Sequence, residues 1–405
     1  MVSQHFWPEN FRINELVQAL QTKGVAIEVL TGKPNYPRGQ IFKGYRAWGC
    51  QLENFNGVPV FRIPIMPRSR GYIQIVINYL SFILSGIIFG VWLLRGRRYD
   101  AVFVFATSPI LQAIPAIWIG WLKKCPIVVW VQDLWPESLS ATGYVKNQSI
   151  LKVVERIVKW IYRKSDLLLV QSKAFVPKVQ SLAGKSPVIY YPNSFLEQKL
   201  DIQDVSSICP EFDCEFPVLF AGNIGSAQSI EVILEAAALV SDINDMRFMM
   251  VGEGSRRSWM IGQVKARGLT NIDFLGSFPV NVMPYLMARA KVLLVTLADS
   301  EIFRLTVPSK VQSYLAAGRP IVACMNGAGA DIIVESKSGI ATPAEDANAL
   351  ARSLRLLHNM PESERVQMGT NGRHFFEQNF THEKLVSELM QHLIKTIHRN
   401  QGITA

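Results

Sequence analysis

Apolar, β-branched segments alternate with amphipathic segments along this chain of 405 residues, and the whole alternation occurs twice. The periodicity predicts strands that are each followed by a helix, which is typical of a parallel sheet covered on both faces. Strands are predicted at residues 25–30, 101–105, 127–131, 167–170 and 188–191, and again at 218–220, 247–251, 272–275, 292–295 and 321–323. Helices are predicted at residues 12–23, 111–123, 151–164, 173–183, 229–240, 255–267, 282–288, 309–317 and 346–358.

The length and the repeated pattern predict two α/β domains, residues 1–195 and 196–380, followed by a helical segment at 381–405. The boundary follows the Tyr191-Pro192-Asn193-Ser194 turn. Residues 1–6 provide only a short first strand before the turn at Trp7-Pro8. The first strand of a doubly wound domain is normally central, so we expect either that the chain begins unusually late or that this first strand is stunted and the domain is weakened.

Charge is distributed unevenly between the two halves. Residues 1–195 contain 23 Lys and Arg against 9 Asp and Glu, whereas residues 196–405 contain 19 against 23. The basic half is expected to meet an anionic partner, and nucleic acid or acidic lipid would both fit. The five cysteines are scattered without a C-x-x-C pair, which indicates idle thiols in a reducing compartment rather than a zinc site.

Residues 72–94 form a run of 23 residues without a charge, and arginines flank both ends. The length permits a bilayer span, but a span would separate residues 1–70 from the rest of the first sheet. Gln74, Asn78, Ser81 and Ser85 recur at helical spacing and give one polar stripe. We therefore predict a helix in the membrane interface with this stripe against the protein, while a helix buried between two layers remains the alternative. The predicted lipid-facing residues are Tyr72, Ile75, Tyr79, Phe82, Ile83, Phe89, Trp92, Arg95, Arg97 and Arg98.

Three strand-to-helix turns in the second half indicate a pocket for a nucleotide diphosphate. Two are glycine turns, at residues 221–228 and 251–257, and the third opens a helix with Pro308 and Ser309. Lys310 lies in the first turn of that helix, where a cation opposes the helix dipole unless an anion is bound. Each glycine turn alone also fits an ordinary tight turn, and Lys310 alone fits a solvated surface lysine.

Two carboxylates follow the buried strand at 127–131, where open α/β sheets bind their ligands. Asp133 and Glu137 are candidates for orienting an acceptor hydroxyl or taking its proton, although Asp133 also fits a structural cap. Asp299 and Glu301 only faintly resemble a metal site, and a solvated loop fits them as well.

The motifs together resemble glycosyltransferase family 4, which has the GT-B fold of two Rossmann-like domains facing a cleft. The resemblance rests on Gly222-Asn223-Ile224-Gly225, Gly252-Glu253-Gly254, Leu275-Gly276-Ser277-Phe278 and residues 307–322. Residues 6–14, 31–37 and 132–137 are similar to bacterial O-antigen and capsule transferases that act on N-acetyl-fucosamine or related deoxy-amino sugars.

This resemblance implies a retaining, metal-independent transfer from a nucleotide-diphosphate sugar, expected to be UDP-linked, with no cofactor. The acceptor would be a polyprenyl-pyrophosphate-linked saccharide at the cytoplasmic face of the inner membrane, with no role for nucleic acid. The helix at 381–405 would cross back to the first domain. Expected donor-binding residues are Gly222, Asn223, Ile224, Gly225, Gln228, Gly252, Glu253, Gly254, Phe278, Asp299, Glu301, Ser309 and Lys310, and expected catalytic residues are Asp133, Glu137 and Lys310. Expected acceptor-side residues are Glu9, Asn10, Arg12, Asn14, Lys33, Asn35 and Tyr36.

The sequence departs from the family pattern near the donor. A pair of glutamates common in the family falls on Leu305 and Ser313, and the usual Arg and Lys of the first turn fall on Asn223 and Gln228. Lys310 is therefore expected to carry more of the phosphate binding. Two other functions remain open, a nucleotide-sugar epimerase and a non-catalytic nucleotide-sugar-binding partner.

Overall fold

The computed structural model describes residues 1–37, 39–68, 71–141, 147–197, 212 and 214–402. The chain forms two compact units. Unit 1 comprises Met1–Pro192 together with Glu383–Ala405, and unit 2 comprises Asn193–His382. The sequence predicts the corresponding boundaries at 195–196 and 380–381.

Unit 1 contains a mainly parallel sheet whose central strand is short. One part has the order β1-β3-β2 and the other the order β4-β5-β6-β7. Val2 joins the two parts, because it pairs in parallel with Leu30 on one side and Val104 on the other. The short, central first strand is thus confirmed. The strands are β1 (Val29–Thr31), β2 (Gln51–Phe55), β3 (Val58–Arg62), β4 (Val102–Ala106), β5 (Ile127–Val131), β6 (Leu167–Val170) and β7 (Val188–Tyr190).

The helices of unit 1 cover this sheet. Helix α1 (Arg12–Thr22) buries Ile13, Leu16, Val17 and Leu20 in the core, as its apolar spacing requires. The other helices in this part of the chain are α2 (Tyr72–Ser85), α3 (Val91–Leu93), α4 (Ala113–Lys123), α5 (Glu137–Ala141), α6 (Gln148–Arg163) and α7 (Phe175–Ala183).

The apolar run at 72–94 forms helix α2, a π-helical turn at Gly86–Gly90 and helix α3 in succession. One side packs on the protein so closely that a Cβ on Gly86 would lie 2.6 Å from the Cβ of Pro115 in α4. Tyr79, Phe82 and Ile83 lie on this buried side. Their assignment to the lipid is therefore wrong, because the polar stripe is too narrow to fill the contact with the sheet and α4.

Other members of the predicted lipid-facing set have different positions. Phe89 and Trp92 are exposed, and so are Arg95, Arg97 and Arg98, while Ile75 is half-buried. The side chain of Tyr72 lies outside the described residues. Ile73, Ile77, Leu80, Leu84 and Ile88 add to the exposed apolar surface of this segment.

Unit 2 is a parallel sheet of six strands in the order β10-β9-β8-β11-β12-β13. Its strands are β8 (Phe216–Ala221), β9 (Met246–Val251), β10 (Ile272–Gly276), β11 (Val292–Thr296), β12 (Ile321–Cys324) and β13 (Gly339–Thr342). Its helices are α8 (Ile230–Leu239), α9 (Arg257–Ala266), α10 (Met283–Arg289), α11 (Glu301–Leu305), α12 (Ser309–Ala317), α13 (Ala328–Glu335), α14 (Ala347–Asn359) and α15 (Glu362–Asn379).

Successive strand residues of unit 2 enter two separate cores, one on each face of the sheet. Leu219 and Leu293 pack with residues of α10 and α12, whereas Val218 and Leu294 pack with residues of α8 and α14. Burial on both faces explains the continuous apolar runs of these strands, and the predicted strand–helix alternation is confirmed.

The last helix, α16 (His382–Gln401), packs on unit 1. Leu385, Val386 and Leu389 enter the same core as α1. The hydroxyl of Tyr191 donates a hydrogen bond of 2.8 Å to the carbonyl of Leu385. Residues of α16 thus complete the core of a unit that is otherwise built from the first 192 residues.

Candidate functional site

The two glycine turns of unit 2 lie together at the carboxyl edge of its sheet. The N–H of Gly222 donates to the carbonyl of Val251 at 2.8 Å, and the N–H of Gly252 donates to the carbonyl of Gly276 at 2.7 Å. These bonds continue the strand pairing past the ends of β8, β9 and β10. The turns that the sequence singled out are therefore adjacent in space, at the edge where parallel sheets bind ligands.

Gly222 and Gly252 are required at their positions. Both have φ of +133°, a conformation that residues with a side chain rarely adopt. A Cβ on Gly222 would lie 2.6 Å from Cε of Lys310, and one on Gly252 would lie 1.9 Å from the carbonyl oxygen of Gly222. The glycines therefore allow Lys310 and the two turns to approach one another.

Lys310 is the central charged group of this edge. Helix α12 begins at Ser309 after Pro308 and ends at Ala317, and its C-cap residue Gly318 has φ of +64°. Nζ of Lys310 is buried 3.6 Å from the centre of the Phe220 ring, and it has no hydrogen-bond partner in the part of the chain that the structure describes. Burial lowers the pKa of Lys310 from 10.5 to about 7. An anion bound here would supply the missing partner.

A cavity of about 280 Å³ opens beside Lys310, and we call it the donor cavity. Its lining is mostly apolar, with Ser277, Ser313 and Tyr314 as hydroxyl-bearing side chains. An apolar cavity next to a cation suits a ligand with a flat ring and a phosphate group. The lining residues are Phe195, Ala221, Gly222, Val251, Gly252, Ser277, Phe278, Val280, Met283, Pro284, Met287, Lys310, Ser313 and Tyr314.

Sequence reasoning missed two residues that position Lys310. The ring of Phe220 lies below the ammonium group, and the hydroxyl of Tyr314 accepts a hydrogen bond of 2.9 Å from the N–H of Ala221. Tyr314 follows Lys310 by four residues, so both occupy one face of α12. This spacing is a sequence signal from which Tyr314 could have been identified. The contact of Phe220 with Lys310 could not be identified in this way, because it joins β8 to α12, two segments that are distant in the sequence.

Several predicted donor-binding residues contact one another or neighbouring residues of unit 2. Nδ2 of Asn223 donates to Oε1 of Gln228 at 3.1 Å, and Ile224 belongs to the apolar core. Glu253 is 63% exposed and lies 3.8 Å from Arg257. Gly222, Gly252, Phe278 and Lys310 are the predicted residues that the structure brings together around the donor cavity.

Asp299 and Glu301, which the resemblance assigns to donor binding, are not among the residues that line the donor cavity. Asp299 forms two hydrogen bonds with Arg304, of 2.7 and 2.6 Å, and these contacts lower its pKa to about 2. Glu301 is exposed at the start of α11. Ser313, which replaces a family glutamate, lines the donor cavity and donates to the carbonyl of Lys310 at 2.9 Å.

The predicted catalytic carboxylates of unit 1 lie after β5. Oδ2 of Asp133 accepts hydrogen bonds from the N–H and the hydroxyl of Ser108, at 3.1 and 2.9 Å. Burial raises the pKa of Asp133, and the bonds from Ser108 oppose that rise. Glu137 lies 3.7 Å from Lys178. Among the described residues, no three His, Cys, Asp or Glu side chains form a group that could hold a metal ion.

The predicted acceptor-side residues largely bond to one another inside unit 1. Oε1 of the buried Glu9 accepts from the N–H groups of Asn35 and Tyr36, at 2.8 and 2.6 Å. Nζ of the buried Lys33 donates to Oε1 of Gln51 at 3.0 Å, and burial lowers its pKa. Nδ2 of Asn14 donates to the carbonyl of Glu9 at 2.7 Å.

Only part of that acceptor-side set reaches the surface. Asn10 is exposed, Arg12 is half-buried, and Tyr36 is 38% exposed. The network of Glu9, Lys33 and Asn35 instead holds the loops in which these residues lie.

Comparison with known proteins assigns both halves of the chain. Residues 10–193 match the model of the "Glycosyl transferase 4-like domain" and residues 215–359 match that of "Glycosyl transferases group 1". A probable glycosyltransferase of Pseudomonas aeruginosa, WbjE, is 28% identical over 334 residues, which are 79% of this chain and 80% of the relative. A putative colanic acid biosynthesis glycosyl transferase of Escherichia coli K12, WcaI, is 23% identical over 329 residues, covering 75% and 76%.

Solved structures share the fold at low identity. Sucrose-phosphate synthase from Thermosynechococcus elongatus aligns with a TM-score of 0.69 and 17% identity, over 96% of this chain and 93% of that one. HepE of Anabaena, solved in complex with UDP, aligns with a TM-score of 0.67 and 13% identity, over 97% and 98%. Together with the two α/β units, these likenesses confirm the predicted GT-B fold.

Proposed function

The chain joins a glycosyl transferase 4-like domain to a glycosyl transferases group 1 domain, and on that premise we propose that it is a glycosyltransferase of surface-polysaccharide biosynthesis. It transfers a sugar from a nucleotide-diphosphate donor to a polyprenyl-pyrophosphate-linked saccharide. The proposed sugar is an N-acetyl deoxy-amino sugar such as N-acetyl-L-fucosamine, and the proposed nucleotide is UDP. The transfer is retaining and uses no metal. The names of the Pseudomonas and E. coli relatives support the assignment to polysaccharide synthesis.

The observation that carries this proposal is the unpartnered ammonium of Lys310 beside the donor cavity. Burial of a lysine without a counter-ion destabilises a folded protein, and a bound diphosphate would offset that cost. The N-terminus of α12 would add to the attraction for an anion. The N–H groups of Asn223 and Gly225 would add to it as well, whereas those of Gly222 and Ile224 donate to the carbonyls of Val251 and Glu253. The apolar part of the cavity is suited to the nucleotide ring.

In the reaction, the bond between the anomeric carbon and the diphosphate oxygen breaks, and the acceptor oxygen bonds to that carbon. Negative charge develops on the leaving diphosphate, where Lys310 stabilises it. The proton of the acceptor hydroxyl passes to a base. Asp133 and Glu137 are the candidates in unit 1 for orienting that hydroxyl, and the raised pKa of Asp133 favours proton uptake.

The proposed location is peripheral, at the cytoplasmic face of the inner membrane. Among the described residues, Ile73–Leu93 is a helix long and apolar enough to cross a membrane by length and composition. However, β3 before it and β4 after it belong to one sheet through Val2, so a span would divide that sheet. Exposed Leu84 and Trp92, followed by Arg95 and Arg98, favour a helix lying in the interface near anionic headgroups.

The test supplies the purified protein with radiolabelled UDP-sugars and a polyprenyl-pyrophosphate-linked acceptor. Label recovered in the lipid phase would support transfer. A changed sugar that stays in water would support an epimerase, and binding without turnover would support a non-catalytic partner, for which the missing glutamates at Leu305 and Ser313 are the motive.

A variant connects this assay to the donor cavity. Lys310→Ala is expected to reduce transfer by about two orders of magnitude, which is typical for removal of one group that stabilises developing charge. Lys265→Ala, at an exposed lysine of unit 2, is the matched control and should retain activity. Near-normal transfer by Lys310→Ala would remove that residue from its proposed role.

A further inference from the structure

Three helices of unit 1 lie side by side on one face of its sheet. Helix α4 contacts α2 on one side and α6 on the other. Helices α1 and α16 pack in a core to which α2, α4 and α6 contribute none of the described residues. The three helices therefore cover the face of the sheet that is opposite to α1 and α16.

The C-terminal ends of these helices come together at the amino edge of the sheet. Nζ of Lys123, at the end of α4, donates to the carbonyl of Leu94, just after α3, at 2.6 Å. Beyond α4 and α6 the chain enters the neighbouring strands β5 and β6, where the N–H of Asp166 donates to the carbonyl of Ile127 at 2.8 Å. Residues 92–98, 118–124 and 160–164 thus form one surface, which we call the helix-end surface.

The same short pattern occurs at each of the three helix ends. An exposed tryptophan is followed by an exposed basic residue three positions later, in the pairs Trp92 and Arg95, Trp121 and Lys124, and Trp160 and Arg163. The three tryptophans are 43% to 67% exposed. Basic residues at helix ends complement the helix dipole, but the dipole does not explain exposed indole rings. Indole rings beside basic side chains are typical of surfaces that contact a membrane interface.

The charge of this face complements an anionic surface. Residues 72–98, 113–124 and 148–164 contain ten Lys and Arg and one acidic residue, Glu155. Of the acidic side chains at the amino edge, Asp100 is exposed, whereas Glu28 forms a salt bridge with Arg97 and Asp166 accepts the N–H of Ile127 at 2.8 Å. A face that is both basic and rich in exposed apolar side chains favours an anionic bilayer over nucleic acid, which would use the charge alone.

We propose that the helix-end surface binds anionic phospholipid, as a membrane contact in addition to the exposed side of α2. This inference rests on the proposed peripheral location and names the lipid class that holds unit 1 there. The indole rings would lie at the level of the lipid headgroups, and Lys124 and Arg163 would reach the phosphates. One helix lying on a bilayer can roll about its axis. Three helix ends define a plane and therefore fix the orientation of unit 1 on the leaflet.

Two double variants of the full chain test this proposal by sedimentation with phosphatidylcholine vesicles prepared with and without phosphatidylglycerol. The charge variant is Lys124→Gln with Arg163→Gln, and its matched control is Lys265→Gln with Arg352→Gln, at exposed residues of unit 2. The tryptophan variant is Trp121→Ser with Trp160→Ser, and its control is Val334→Ser with Leu356→Ser, also at exposed residues of unit 2. Thermal unfolding and UDP binding are measured for every variant.

The charge variant is expected to bind vesicles containing phosphatidylglycerol about tenfold or more weakly, because each basic residue near an anionic leaflet strengthens binding by about fivefold. The tryptophan variant should bind several-fold more weakly, and both controls should bind like the parent chain. Binding by the parent chain should require phosphatidylglycerol and should fall as salt is added.

Vesicle binding by the charge variant that equals that of its control would overturn the proposal, even if Leu84→Glu weakens binding through α2. Loss of self-association instead of vesicle binding would show that a second copy of the chain covers this surface. Loss of binding to a DNA duplex instead would assign the surface to nucleic acid. Failure of the parent chain to bind UDP would contradict the proposed function and leave the vesicle comparison unchanged, so the two failures are distinguishable.

Discussion

Among single residues, Lys310 occupies the helical position that the sequence predicts. The structure adds the burial of its ammonium group. The flanking Pro308, Ser309 and Gly318 predict a lysine in the first turn of a helix, and α12 has this form. Its burial over Phe220 could not be predicted, because it depends on β8 lying next to the start of α12. The sequence therefore predicts the position of Lys310, but not the lowering of its pKa, which follows from burial.

Replacing Lys310 should stabilise unit 2 against unfolding, while it removes the group proposed to stabilise the leaving diphosphate. Its pKa falls from 10.5 to about 7 on folding, so the unfolded chain binds more protons between these pH values. The resulting destabilisation is complete below pH 7 and disappears as the pH rises toward 10.5. Lys310→Met should therefore raise the unfolding midpoint by a few degrees at pH 6 and progressively less above pH 7, measured by calorimetry. An unfolding midpoint lower than that of the parent protein at pH 6 would contradict this account.

Binding of UDP should depend on pH through the same residue. The diphosphate attracts the protonated lysine, but above pH 7 the free protein holds Lys310 mostly neutral. Affinity should then fall by up to about tenfold per pH unit above 7, where the phosphates, with pKa values near 6, are already ionised. Titration calorimetry at pH 8 in buffers of different ionisation enthalpy should detect proton uptake on binding. Lys310→Met should show no such uptake.

The family resemblance places Glu9 on the acceptor side, but its observed contacts are hydrogen bonds within unit 1. The carboxylate accepts hydrogen bonds from the N–H groups of Asn35 and Tyr36. Glu9→Gln should lower the free energy of unfolding of unit 1 by about 1–3 kcal/mol, because the NH2 group that replaces Oε2 cannot accept the hydrogen bond that this oxygen takes from the N–H of Phe6 at 3.3 Å. The exposed neighbour Asn10 provides the control, since Asn10→Asp should change unfolding little. Denaturant titration measures both, and an unchanged midpoint for Glu9→Gln would exclude this structural role.

Among the secondary-structure elements, long helices with periodic apolar residues were predictable, whereas short strands that depend on a pairing partner were not. The apolar spacing predicts α1, α6 and α14 to within a few residues of their observed ends. The hairpin of β2 and β3 was missed, although Asn56-Gly57 is a strong two-residue turn signal and both residues have positive φ. The strand predicted at 25–30 is reduced to β1, which pairs with β3 on one side and with only the short segment around Val2 on the other.

The segment containing α2 and α3 is helical as predicted, but Tyr79, Phe82 and Ile83 of the predicted lipid-facing set lie on its buried side. Its exposed side carries Leu84, which is 60% exposed. Leu84→Glu should reduce sedimentation with vesicles of anionic phospholipid several-fold, because a charge replaces apolar area at the interface. Leu356→Glu, at a 57% exposed leucine of unit 2, is the matched control and should leave sedimentation unchanged. Equal loss in both variants would argue against membrane contact through this helix.

At the scale of the whole molecule, the double alternation of strands and helices is sufficient to predict two parallel sheets, because each strand run is apolar enough to be buried on both faces. The strand order and the return of α16 to unit 1 were beyond the local pattern, since they depend on contacts between distant segments. Only the resemblance to a known family suggested the return of the last helix.

The division of the chain into two compact units predicts two unfolding transitions with different responses to ligand. UDP at about one hundred times its dissociation constant should stabilise unit 2 by about 2.7 kcal/mol. The transition of unit 1 should stay in place, because the donor cavity is lined by residues of unit 2 alone. Differential scanning calorimetry with and without UDP measures this. A shift of both transitions by the same amount would show that the units unfold together.

The return of α16 to unit 1 affects the order in which the molecule can fold during its synthesis. Leu385, Val386 and Leu389 leave the ribosome after every residue of unit 2 has been made. Unit 2 can therefore close its cores first, whereas the earlier-made unit must wait with the apolar side of α1 uncovered. A nascent chain halted near residue 382 is consequently the form most in need of chaperone protection.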